Sequence, residues 1–137
     1  LVITSNKNEF EPLFAADLRD RVFVKTVALK EVNRYLNAAD YGIMLRKNTP
    51  INFVASPVKF AEYSLTGLVI VTTTAVEQIN RYGSVLGNTI SPELFVNEIC
   101  GGHVNNKDRQ DISCKAQKLL SRGARADIST VYGFHQS

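Results

Sequence analysis

Arg46, Ser56, Lys59 and Glu62 have the types and spacing to hold a phosphate-bearing ligand. The guanidinium of Arg46 can clamp a diphosphate through two parallel hydrogen bonds, or it can pair with a nearby acid. Lys59 is a compact positive charge for a phosphate oxygen, or the surface partner of Glu62. Ser56 is a natural helix N-cap, and its hydroxyl can also face a phosphate. Pro57 has no N–H, so Val58 and Lys59 supply the main-chain donors at that helix start. Asn52 lies in the preceding loop as a weaker polar candidate of the same kind. By residue type alone, Glu62 reads as a carboxylate on the solvated helix face, paired with Lys59.

The elements that position these groups follow from local rules. Pro57 suits the first helical position, where its missing N–H would have no partner. Gly67 can take the left-handed conformation that ends a helix. Residues 68–71 form an unbroken apolar run, as expected of a strand covered on both faces. Upstream, residues 41–45 read as a strand with Arg46 at its carboxyl end. That edge is where doubly wound sheets bind ligands. A loop feeding a helix start there offers free N–H groups and the helix dipole to an anion.

The rest of the chain alternates apolar runs with helical patterns, which predicts an α/β fold with a mostly parallel sheet. Residues 1–4, 22–24, 41–45 and 68–72 read as parallel strands, with 85–90 as a weak strand or extended segment. Helices are expected over 10–18, 29–39, 76–81 ending by Gly83, and from Ser91-Pro92-Glu93 to about Cys100. Residues 108–121 read as a helix, with a separate helical piece from Gly123, and 47–55 as a polar loop.

The segments 38–46 (AADYGIMLR), 54–63 (VASPVKFAEY) and 67–73 (GLVIVTT) resemble the donor-site signature of retaining glycosyltransferases of the GT-B fold, family 4 or "group 1". The resembling residues fall in order over about a quarter of the chain. The resemblance implies a single Rossmann-like domain spanning residues 1–137, the C-terminal, nucleotide-sugar-binding half of a two-domain enzyme. It implies a metal-independent transferase of surface-polysaccharide assembly, working in the cytoplasm at the inner face of the membrane. Its partners would be a nucleoside-diphosphate sugar and an N-terminal acceptor-binding domain of the same protein. It also implies that Glu62 accepts hydrogen bonds from the ribose hydroxyls of the donor, a role that suits a carboxylate facing a vicinal diol. Residues 26–29 would hold the base, with Val27 and Leu29 as candidates that serve equally well as core.

Two departures stand out. Eight positions before Glu62, where many relatives carry a second Glu that contacts the sugar, this chain has Val54. The first βα unit of the donor domain, which holds the central strand, has no counterpart here. Leu1 stands inside an apparent strand, so the chain reads as a piece of a longer protein that is inactive alone. The strand at 1–4 should then pair directly with 41–45, or another chain should cover the exposed edge.

Composition sets the outer bounds. The 137 residues suit one compact domain, and 45% hydrophobic with 21% charged residues is an ordinary globular balance. The formal charge of +3 fits an anionic ligand without pointing to nucleic acid, because no basic stripe is interleaved with aromatics. Cys100 and Cys114 make no disulfide framework, and Cys100 is expected to be a buried thiol. Neither His103 nor His135 has a spaced partner that would make it a base or a metal ligand. No cofactor is expected. The main competing reading is a non-enzymatic Rossmann-like nucleotide-binding or regulatory module, although no acidic cluster marks a phosphoacceptor. A nucleotide-sugar epimerase is a third reading, for which no catalytic residues are evident.

Overall fold

The computed structural model describes residues 1–18, 20–54, 58–102 and 108–132, the stretch 122–132 as helix backbone. The chain is α/β, with two small all-parallel sheets flanked by helices in a Rossmann-like arrangement. It divides into two compact units, Leu1–Ala38 and Ala39–Ser137.

In the first unit, β1 (Val2–Ile3) pairs in parallel with β2 (Val24–Lys25), Val2 opposite Val24. The hydroxyl of Thr26 donates to the carbonyl of Thr4 at 2.9 Å and ties the two strand ends. No long helix spans residues 10–18; α1 (Lys7–Phe10) is followed by 3-10 turns at Glu11–Leu13 and Ala16–Leu18. Pro12 explains the break, because a proline is tolerated only in the first turn of a helix. A further 3-10 turn, Leu29–Glu31, leads into α2 (Val32–Ala38), where a helix was expected. Val24 alone among the described apolar residues of this unit is buried.

The second unit holds β3 (Tyr41–Met44), β4 (Val69–Thr72) and β5 (Thr89–Ile90), all parallel in the order β3-β4-β5. Of the two arrangements expected for residues 1–4, pairing with 41–45 or cover of the exposed edge by another chain, the first is not found among the described residues: β1 pairs with β2, and β3 pairs with β4, Tyr41 opposite Val69. All four residues of β4 are buried, as its unbroken apolar run requires of a central strand. On one face Ile70 packs with Met44, Phe60, Val76, Ile79, Leu86 and Ala116. On the other, Val69, Val71 and Ile90 pack with Tyr41 and Phe95, whose rings meet edge-on at 5.0 Å.

The connecting helices are α3 (Pro50–Phe53), α4 (Val58–Leu65), α5 (Glu77–Leu86), α6 (Pro92–Cys100) and α7 (Arg109–Tyr132). Helix α6 starts as the sequence indicated: Ser91 caps it by accepting from the N–H of Leu94 at 3.2 Å, with Pro92 in the first turn. Helix α5 does not stop by Gly83 but runs on through Val85 and Leu86, which shortens the expected extended segment to β5. Gly83 is buried against Thr89, whose Cγ2 would lie 2.5 Å from an added Cβ, so it serves packing. The residue that ends α5 is Gly87, left-handed at φ 65°. Helix α7 continues through Gly123 as one element, because glycine weakens a helix without breaking it. Ile112 and Ala116 are buried and Leu119 packs beside them, the stripe expected for 108–121. Cys100 is exposed, not buried, because α6 turns only part of its surface to the sheet; Cys114 is exposed too. No helix of the described residues is long and apolar enough to cross a membrane. His103 and His135 lie outside the described residues.

Candidate functional site

The chain leaves β3 at Leu45 and Arg46, crosses to α3 and then enters α4. The expected polar loop over 47–55 thus contains a helical turn. Thr49 caps it by accepting from the N–H of Asn52 at 3.3 Å, and Pro50 fills the first helical position.

Arg46 stands at the carboxyl end of β3, exposed, and among the described residues no carboxylate pairs with it. Its main chain is held by Thr73, one residue past the end of β4. The Arg46 N–H donates to Thr73 Oγ1 at 3.2 Å, and the same hydroxyl donates to the Arg46 carbonyl at 2.8 Å. Asn52 braces the loop from the other side, its side-chain amide donating to the Lys47 carbonyl at 2.8 Å. One N–H of the Asn52 amide is therefore engaged within the loop. Asn80 of α5 donates to the carbonyl of Thr74 at 2.9 Å and secures the exit of β4.

Helix α4 buries Phe60 and Ser64 and turns Lys59 and Glu62 outward. Lys59 Nζ donates to Glu62 Oε2 at 2.8 Å, with the two side chains 54% and 33% exposed. At that exposure the pair adds under about 1 kcal/mol to stability. Val58, at the first position of α4, is exposed; Ser56 and Pro57, the expected cap and first helical residue, lie outside the described residues. Val54, eight positions before Glu62, is exposed as well.

The far end of α4 is fixed by a Schellman motif. The N–H of Leu68 donates to the Tyr63 carbonyl at 3.0 Å and that of Gly67 to the Ser64 carbonyl at 3.0 Å, with Gly67 at φ 73°. Asn88, fully buried below the helix, donates to Ser64 Oγ and to the Leu68 carbonyl, both at 3.2 Å. The Arg109 guanidinium donates to the carbonyls of Ala39 (2.8 Å) and Thr66 (3.0 Å), joining the start of α7 to the turns before β3 and β4.

Val27 and Leu29 belong to the first unit, Val27 half-buried and Leu29 84% exposed at the start of a 3-10 turn. That unit also contains a cavity of about 410 Å³ lined by Glu11, Pro12, Phe14, Val22 and Val24. None of the residues singled out in the sequence lines it, and Glu11 is already paired with Lys7 at 3.2 Å. We assign it no chemistry. Chemically, the second unit presents one cation at a strand end on a clasped main chain, and a cation and a carboxylate on α4, two elements later.

Comparison with known proteins finds no match: no family model, no curated protein and no solved structure resembles the chain significantly.

Proposed function

We propose that this chain is the donor-binding part of a retaining glycosyltransferase of GT-B architecture. It would take a nucleoside-diphosphate sugar and serve transfer to an acceptor held by an N-terminal domain of the same protein. The observation that carries this reading is Arg46, a cation with no described acidic partner, held at the carboxyl end of a parallel strand and followed two elements later by Lys59 and Glu62. In this reading Arg46, Lys59 and the N–H groups at the start of α4 stabilise charge on the departing diphosphate, with no metal ion required. Glu62 exchanges its partner Lys59 for the ribose diol. The work would belong to surface-polysaccharide assembly in the cytoplasm, at the inner face of the membrane.

Ile43 on β3 and Leu45 just past its end are 60% and 55% exposed, although parallel strands are ordinarily covered on both faces. In this reading another element of the full-length protein would supply that cover.

The Lys59–Glu62 pair favours a second reading, a non-enzymatic nucleotide-binding or regulatory module in which both groups only solvate the helix face. A thermal-shift series on the full-length protein with UDP, GDP and ADP tests the proposal, because a ligand at a hundredfold its Kd stabilises by about 2.7 kcal/mol. A rise in Tm with one diphosphate, together with turnover of its sugar conjugate, is expected. Binding without turnover supports the regulatory module, and no shift with any of the three refutes both readings.

A further inference from the structure

The parallel ladder between β3 and β4 closes at Met44 opposite Thr72, two residues short of Arg46. Beyond it the main chains would ordinarily diverge. Here a side chain continues the ladder. Thr73 Oγ1 accepts from the Arg46 N–H at 3.2 Å and donates to the Arg46 carbonyl at 2.8 Å, so both polar groups of that residue's main chain are pinned by one hydroxyl. The anchor is itself firm. Thr72 is buried, its hydroxyl donates to the Thr73 carbonyl at 3.1 Å, and Asn80 holds the Thr74 carbonyl.

A clasp of this kind does little for stability. Both bonds are exposed, and water replaces them at small cost when the hydroxyl is removed. What the clasp fixes is direction. Arg46 is flanked by exposed Leu45 and Lys47, and its N–H and carbonyl are both held by Thr73, one residue past the end of β4, so its side chain starts from a main chain fixed at the sheet end. A charged side chain on a preorganised main chain loses less freedom when it engages a ligand.

We propose that Thr73 is a positioning residue: its hydroxyl sets the main chain of Arg46 so that the guanidinium meets the diphosphate of the ligand. The inference rests on the reading of Arg46 as a diphosphate contact. The valine variant, Thr73→Val, keeps the shape of the side chain and removes both bonds, whereas Thr73→Ser keeps the hydroxyl.

The test is titration of the full-length protein with inorganic pyrophosphate, which reports the diphosphate contact without base or sugar. With Thr73→Val, affinity is expected to fall about three- to tenfold, the effect of one or two hydrogen bonds of ordinary strength. Thr73→Ser should stay within about twofold of the parent, and unfolding midpoints should be unchanged. In the Arg46→Gln background, Thr73→Val should cause no further loss, because its effect passes through the guanidinium. If Arg46→Gln weakens binding and Thr73→Val does not, the positioning role is overturned while the reading of Arg46 stands. An equal loss from Thr73→Val with and without Arg46 also overturns it, since the hydroxyl would then act on the fold at large. If Arg46→Gln leaves affinity unchanged, or the parent does not bind pyrophosphate, the reading of Arg46 falls and the inference with it.

Discussion

Replacing Gly67 by Ala should destabilise the second unit markedly, and Gly87→Ala provides an internal control. Both glycines end helices at positive φ, 73° and 65°. Either substitution forces an L side chain into the left-handed region, at about 1–2 kcal/mol. Only Gly67 is also crowded. An added Cβ there would meet the main chain of Arg109, with its Cα at 3.0 Å and its carbonyl oxygen closer still, whereas nothing lies within 4 Å of one at Gly87. Backbone cannot rotate aside as a side chain does, so the start of α7 must shift, and overpacking of this kind costs about 1–3 kcal/mol more. The sum for Gly67→Ala is about 2–5 kcal/mol, against about 1–2 for Gly87→Ala. With a urea m value of about 1–3 kcal/mol/M, the unfolding midpoint should fall by roughly 1–2 M in the first variant and by clearly less in the second. Far-UV circular dichroism during urea titration measures both. Equal shifts would refute the steric argument, and no shift at Gly67 would refute the Schellman motif that ends α4.

Two further outcomes follow from the same unit. Arg109→Lys keeps the charge but cannot span the carbonyls of Ala39 and Thr66, so it should lower stability by about 1–3 kcal/mol in urea unfolding. The carboxyl of Glu93 sits below its ordinary value of 4.5, because main-chain N–H and the Ser91 hydroxyl favour its charged form. A depressed carboxylate pKa gives stability that is present above the ordinary value and lost as pH falls through the lower, folded-state value. Urea midpoints measured across the acid range should therefore fall less steeply with pH in Glu93→Gln than in the parent.

Features governed by a few neighbouring residues were legible in the sequence. Ser91-Pro92-Glu93 specifies a helix start wherever it falls, and the apolar run before Thr72 specifies a strand covered on both faces. Thr49-Pro50 carries the same start signal as Ser91-Pro92, but the helix it opens is four residues long and is hidden in a polar stretch. Gly83 and Gly87 look alike in sequence; only the approach of Thr89 makes one a packing residue and leaves the other to end the helix. Sheet membership was not legible, because it depends on which distant strand offers an edge, and β1 takes β2. At the site, the pairing of Lys59 with Glu62 follows from their spacing on one helix. The clasp on Arg46 does not, because Thr73 is the middle of three threonines and its partner lies 27 residues away. Asn52 reads as a ligand group by type; that its side chain also braces its own loop, through the Lys47 carbonyl, is visible only in the structure.

The most direct measurement is calorimetric titration of the full-length protein and its Glu62→Gln variant with the nucleoside diphosphate that gives the largest thermal shift. Hydrogen bonds from a ribose diol to a carboxylate contribute about 1.5–3 kcal/mol each, and Gln keeps the shape while losing the charge. The glycosyltransferase reading predicts affinity at least about tenfold weaker in the variant, with unfolding midpoints changed only by the loss of an exposed ion pair. Equal affinities in the two proteins would mean that Glu62 does no more than pair with Lys59 on the helix surface, and would contradict the account at its centre.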